Sequence, residues 1–176
     1  MLSILQLIVD AIATILGGVL LLRFWMQAIR VRPPASVAQF TFTLSDWLVR
    51  PMRRIVPGVG GYDWASLIGA FLVVALATSI FFFAGQPPEL VAKLALYRFL
   101  TWILYGFMAL LIVEAVFSWV NPQAPLAPFV RALNDPLLRH LRRVVPLVGG
   151  LDLSMLVALI LIQIAQIVLG ILFGYR

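Results

Sequence analysis

The 176-residue sequence contains no cysteine, one histidine and one lysine, and Asp, Glu, Lys and Arg together make up only 11% of it. Without cysteine there is no disulfide, thiolate metal site, iron–sulfur cluster or covalent haem attachment. With His140 as the single histidine, no multi-histidine metal centre can form within one chain, and neither a metal nor a cofactor is expected. The few charges are lopsided: 13 cations against 7 acids give a formal +6, and Lys93 is the one cation that is not arginine. What fills the rest is apolar, 63% of residues with a mean hydropathy of +1.07, where soluble domains run about 45–50% apolar and about 25% charged. This composition excludes an ordinary soluble domain and a disordered basic tail. It defines an all-α integral membrane protein with a concentrated basic surface.

A membrane-spanning helix needs about 20 mostly apolar residues. Residues 65–85 and 154–173 meet this without a charge, the second carrying only Gln163 and Gln166 as strongly polar positions. Two further spans carry internal charges: about 2–26, with Asp10 and Arg23, and about 94–120, with Arg98 and Glu114. The first is expected to be a mature span and not a cleaved leader, because no cation precedes its apolar run and Asp10 interrupts it. The basic connections, residues 30–64 and 121–153, hold nine of the thirteen cations. The positive-inside rule places both connections in the cytoplasm and both termini outside it.

Shifting the chain by 89 residues lays 33–68 onto 122–157 without a gap, with 17 identities in 36 positions. Among them are Asp46/Asp135, Arg50/Arg139, Arg53-Arg54/Arg142-Arg143, Gly60-Gly61/Gly149-Gly150 and Asp63/Asp152. The expected organisation is therefore repeat 1 over 1–85, an extracytoplasmic loop at 86–93 with its Pro87-Pro88 turn, and repeat 2 over 94–176. Each repeat is span, connection, span. An even number of spans makes the two copies parallel in the membrane.

Within the connections Val37, Phe40, Leu44, Leu48 and Ile55 recur near helical spacing, as do Leu126, Phe129, Leu133, Leu137, Leu141 and Val144. An apolar stripe opposite arginines describes an amphipathic helix lying in the membrane interface. Pro51 is expected to break or kink the first such helix, and Asn134-Asp135-Pro136 to start a new one, so that each interfacial helix is two short pieces. The glycine pairs permit a tight reversal with positive φ. Asp63 and Asp152 then stand where a carboxylate caps the next span, with a ligand role as the alternative. The arginines, Arg50, Arg53, Arg54, Arg139, Arg142 and Arg143, either fix topology and snorkel to phosphates or form a defined anion or lipid-headgroup site.

The segments LLLRFWMQ (20–27), RPMRRIVPGVGGYD (50–63) and NDPLLRHLRRVVPLVGGLDLS (134–154) resemble the YggT/YlmG family of small bacterial and plastid membrane proteins, over nearly the whole chain. His140 departs from the family pattern, which has proline there. The resemblance implies a multi-pass protein of the bacterial cytoplasmic (inner) membrane. It also implies links to osmotic-stress tolerance and ion balance, to cell-division gene neighbourhoods and, in plastids, to haem-protein assembly and nucleoid distribution. It carries over no catalytic residue. A haem role fits this chain poorly, since it has no cysteine and its one histidine lies on a basic connection.

Ionisable residues at membrane depth need a named partner. Arg23 and Glu114 lie near corresponding ends of spans 1 and 3 with opposite signs, and they are expected to pair where the copies meet; snorkelling to the interface is the alternative. Asp10 and Arg98 are opposite in the same way. They lie about 140° and 160° around their helices from Arg23 and Glu114, so both pairs cannot easily share one face.

Three classes of function remain. The first is a non-enzymatic scaffold or assembly factor whose basic surface meets anionic phospholipid and recruits a membrane-protein partner or a second copy, without direct nucleic-acid binding. The second is an oligomeric ion transporter or channel subunit, suggested by parallel repeats and charges at membrane depth. An enzyme is the third and the least supported: His140 has no serine or paired aspartate nearby for proteolysis, and GGxD lacks the rest of a phosphate-binding loop.

Overall fold

The computed structural model describes residues 2–145 and 153–175. Among these every regular element is a helix: α1 (Leu2–Ala28), α2 (Ala35–Ile55), α3 (Trp64–Thr78), α4 (Ile80–Phe83), α5 (Pro88–Val120), α6 (Ala127–Val144) and α7 (Ser154–Phe173). Four stretches are long and apolar enough to cross a membrane: Ile4–Ala28, Trp64–Phe83, Pro88–Val120 and Ser154–Phe173. They match the four spans read from sequence. The third extends further back, to Pro88, because a proline at the first helical position loses no bond that the helix would have made.

The boundaries follow from local chemistry. α1 closes in a left-handed turn at Arg30 (φ 58°), with the Val31 amide donating to the Met26 carbonyl. A glycine usually occupies this position; here the strained residue places a cation at the helix C-terminus. Pro33-Pro34 then hold the chain extended before α2. Between α3 and α4 the Thr78 and Ser79 hydroxyls donate back to the carbonyls of Val74 and Leu76, a competition that loosens a helix locally. α5 ends at Val120, one residue before the Asn121-Pro122 step.

Two expectations for the connections need correction. α2 runs unbroken through Pro51, and α6 runs unbroken through Pro136. Asn134 caps nothing: its amide is turned inward to Glu114 and the Leu110 carbonyl. Each proline costs its helix one bond, which packing of the helix's inner face offsets. That face is Thr41, Ser45 and Val49 in α2, and Val130, Asn134 and Leu138 in α6, the same three positions under the 89-residue shift.

The described chain forms two compact units, 1–103 and 104–176. They do not coincide with the sequence copies, because the first half of α5 packs into unit 1. Phe99 sits edge-on to Phe71 at 5.3 Å, and the Arg98 guanidinium reaches Asp10 at 2.5 Å and Thr78 at 3.4 Å. Unit 1 is built on α1 against α3, with Leu20, Val49, Ala65 and Ala70 at its centre. In lipid, helices associate by close packing and not by a hydrophobic driving force, and small residues supply it. Gly69 lets Met52, Leu48 and Leu20 approach within 3.4–3.7 Å of where a Cβ would stand. Unit 2 centres on Leu111, Leu138, Ala158 and Ile162.

Two adjacent glycines of α1 make a matched test of this packing. A Cβ on Gly17 would stand 2.6 Å from the Trp102 ring, whereas one on Gly18 meets nothing within 4 Å. Gly17→Ala is expected to lower stability by about 1–3 kcal/mol through overpacking. Gly18→Ala should leave it unchanged or slightly raised. Denaturation midpoints of the two variants in one detergent check this; equal midpoints would contradict the close approach of Trp102.

Candidate functional site: an arginine–aspartate cluster at the end of α1

Arg23 lies on the last turns of a membrane-spanning helix and is only 6% exposed. A guanidinium taken out of water needs anionic or polar partners at short range, and the chain supplies them by folding α2 and the loop after it back onto α1. Arg23 Nη1 donates to Ser45 Oγ at 2.6 Å and to Asp46 Oδ1 at 2.7 Å. Its Nε is 3.5 Å from Asp63 Oδ2, an ion-pair contact that leaves Nε without a hydrogen bond. The Phe42 ring covers the guanidinium at 4.9 Å.

Two further arginines close the cluster. Arg53 grips Asp63 through two parallel bonds, Nε to Oδ1 at 3.2 Å and Nη2 to Oδ2 at 2.6 Å, the fork geometry that makes arginine–carboxylate pairs strong. Arg50, one turn after Asp46, reaches Oδ2 with both Nε and Nη2, at 3.0 and 2.8 Å. Asp63 also accepts from the Ser66 hydroxyl (2.6 Å) and amide (3.4 Å), capping α3. Gly60 and Gly61 turn the chain between Arg53 and Asp63 with φ of 69° and 81°. Phe24, Tyr62 and Trp64 gather beside this turn, ring centres 6.0–6.4 Å apart.

Both carboxyls are held below the ordinary aspartate range. For Asp46 the hydrogen bond from Arg23 dominates; burial opposes it, and the charges of Arg23 and Arg50 assist it. For Asp63 burial is the largest influence and pushes upward, but hydrogen bonds from Arg53 and Ser66 and the charges of Arg53 and Arg23 outweigh it.

Unit 2 handles the opposite charge at the same place. Glu114, also 6% exposed, accepts from Asn134 Nδ2 at 2.8 Å, and Arg142 lies 3.6 Å from its other oxygen. Asn134 and Arg142 stand where Ser45 and Arg53 stand in unit 1. Arg23 and Glu114, expected from sequence to pair with one another, each find partners on the connection that follows its own span. Asp10 and Arg98, the other opposed pair, meet directly within unit 1. Gly149, Gly150 and Asp152 lie outside the described residues.

Of the arginines read as anion-binding, Arg53 and Arg142 face internal carboxylates and Arg50 shares Asp46. Arg54, Arg139 and Arg143 are exposed, with no ion pair among the described residues. His140 is exposed, with Nδ1 3.1 Å from the Pro136 carbonyl. Among the described residues no group of three or more His, Asp or Glu could hold a metal. Sequence reasoning missed Asp46 and Ser45 as the partners of Arg23. The usable signal was the buried span cation itself, which requires an acid, and the invariance of Asp46/Asp135 across the two copies.

Two outcomes follow from this geometry. Arg23→Gln leaves two carboxylates short of a buried cation and should cost about 3–5 kcal/mol, with Arg23→Lys recovering only part because it lacks the fork; denaturation midpoints read both. The depressed carboxyls stabilise the fold fully above the unfolded aspartate value of about 3.9. That contribution is lost as pH falls from there through the lower native values. The midpoint should therefore drop below about pH 4, and by less in Asp46→Asn/Asp63→Asn; an equal acid drop in that variant would contradict the assignment.

The CCB3/YggT family model matches this chain twice, over residues 1–83 and 94–173. The chain is 31% identical to YggT of Escherichia coli K12 over 147 residues, 83% of this chain and 78% of that protein. It is 28% identical to a Vibrio alginolyticus protein encoded in the proC 3′ region over 165 residues, 89% and 88% of the two chains. A Haemophilus influenzae protein is 30% identical over 170 residues, 96% and 93%. No solved structure matches it. On its four apolar spans, its twofold family match and these relatives, the chain belongs to the CCB3/YggT family of membrane proteins.

Proposed function

We propose that this protein is a non-enzymatic scaffold or assembly factor of the bacterial cytoplasmic membrane, built from two parallel repeats whose basic interfacial helices present a cytoplasmic surface to anionic phospholipid and to a membrane-protein partner. One observation carries the reading: α2 and α6 each turn a face of the same register inward and leave arginines outside. In α2 the outward apolar sector is bare as well, with Phe40 57%, Trp47 65% and Ile55 82% exposed. A helix with exposed aromatic, aliphatic and arginine sectors fits the headgroup level of a bilayer. In α6 the counterpart of Phe40, Phe129, is buried and that of Trp47 is Pro136, while Val144, the counterpart of Ile55, is 81% exposed, so α2 carries the larger exposed aromatic sector. The twofold family match supports the two-repeat organisation. The resemblance links this role to osmotic-stress tolerance and to envelope or membrane-protein biogenesis.

The alternative, an oligomeric ion transporter or channel subunit, would draw on the charges at membrane depth. Asp10 and Arg98 neutralise one another, an arrangement that suits holding helices together better than passing ions.

The test is lipid selectivity. In nanodiscs of mixed phosphatidylglycerol and phosphatidylcholine, spin-labelled phosphatidylglycerol should be enriched around the protein at low salt. The enrichment should fall at high salt, as screening requires. Replacing Arg54, Arg139 and Arg143 together by Gln should remove most of it. Selectivity indifferent to salt and to lipid charge would overturn the surface reading, and ion flux in reconstituted vesicles under an osmotic or voltage step would favour the alternative.

A further inference from the structure

Between α1 and α2 lies a cavity of about 460 Å³, lined by Arg23, Gln27, Asp46, Arg50 and Arg53 on its polar side and by Met26, Val31, Pro33 and Phe42 on its apolar side. We propose that this cavity holds the headgroup of one anionic phospholipid, recognised through its phosphodiester monoanion. The inference rests on the reading of α2 as a membrane-surface helix and deepens it from a diffuse basic surface to a single defined site.

Charge and donor counts support it. Three guanidiniums, Arg23, Arg50 and Arg53, share two carboxylates, Asp46 and Asp63. One positive charge is left over, which matches a phosphodiester better than a dianion. Asp46 would repel an anion, but both its oxygens are already taken, one by Arg23 and the other by Arg50. Each arginine carries five N–H donors. The bonds formed use Nη1 of Arg23 and Nε and Nη2 of Arg50 and of Arg53. Nη2 of Arg23 and Nη1 of the other two remain for a ligand, and so does the Gln27 amide once it leaves its 3.3 Å bond to the Gly61 carbonyl.

The cavity's shape adds to this. Its size lies within the range of small-molecule sites, about 300–1,000 Å³. Its apolar wall suits the glycerol and first acyl carbons of a lipid, which a free inorganic anion does not have. Arg50, whose side chain is 78% exposed, stands at the entrance. The site belongs to unit 1 alone by charge logic: at the corresponding place unit 2 carries the carboxylate of Glu114, which repels a phosphate.

The experiment uses the full-length protein, delipidated in a neutral detergent and titrated with phosphatidylglycerol, with bound lipid per chain counted by native mass spectrometry. Phosphatidylcholine, which has the same phosphodiester but no net charge, and inorganic phosphate are the comparison arms. One phosphatidylglycerol per chain is expected, held about tenfold more tightly than phosphatidylcholine and not displaced by millimolar inorganic phosphate. Arg50→Gln, which leaves Asp46 bonded to Arg23, should weaken it about tenfold, the scale of one charge-assisted hydrogen bond. Arg139→Gln, at the matching position of unit 2, should leave it unchanged.

Equal retention of the two lipids, displacement by inorganic phosphate, or equal effects of the two substitutions would overturn the proposal. The two readings also fail separately. Salt-sensitive lipid selectivity that survives while Arg50→Gln leaves the one-lipid count unchanged removes the cavity site and keeps the surface. Loss of selectivity as well removes both.

Discussion

Burying one guanidinium at the end of a membrane span is the constraint from which unit 1 follows. Arg23 cannot remain at that depth without carboxylates, and α1 provides none on its last turns. The chain must return to it twice, first with Ser45 and Asp46 on α2 and then with Asp63 at the head of α3. These returns fix where α2 lies, how the loop reverses and where the second span begins. Asp63 shows the economy of the arrangement: one carboxylate caps α3, clamps Arg53 and balances Arg23. Low overall charge concentrates the consequences of each charge, since no spare acid stands near to replace one that is lost.

Unit 2 solves the inverse problem with the same scaffold. A carboxylate at the end of its first span is met by an amide and an arginine at the positions where unit 1 has a hydroxyl and an arginine. The inner face of the connecting helix is therefore a fixed address, and its chemistry is chosen to suit the sign it must receive. Coordinated change of the span residue and its address gives each buried charge a partner on the connection that follows it. It also gives the two connections different electrostatics outside, although their arginines align in sequence.

Much of this was legible in the residues, and what was not has definite physical reasons. Span positions follow from sustained apolar length, broken in two spans by only a few charges, a strong and local signal. The capping aspartate and the glycine turn were readable because each needs only its immediate neighbours. Helix continuity through Pro51 and Pro136 was not, because proline's local penalty is known from the sequence while the packing that offsets it depends on the fold. The partners of Arg23 and Glu114 were missed for a related reason. Span-to-span symmetry drew attention to opposite signs between copies, yet the short chain path from a span to its own connection makes the local partner far easier to reach. Arg53 and Asp63 were both noted, but as separate devices. Their joining depends on a reversal that brings positions ten residues apart together.

Pro51 carries one further consequence. Having no N–H, it leaves the carbonyl of Trp47 without its helical donor, and that residue lies in the exposed apolar sector of α2. A bare carbonyl is tolerated only where water or a headgroup can reach it, since hydrocarbon offers no donor. The aromatic and aliphatic side chains of that sector favour an apolar setting, while this one oxygen requires a polar one. On the proposed interfacial placement of α2, the proline would limit how deep the helix, and the basic cavity beside it, could sit.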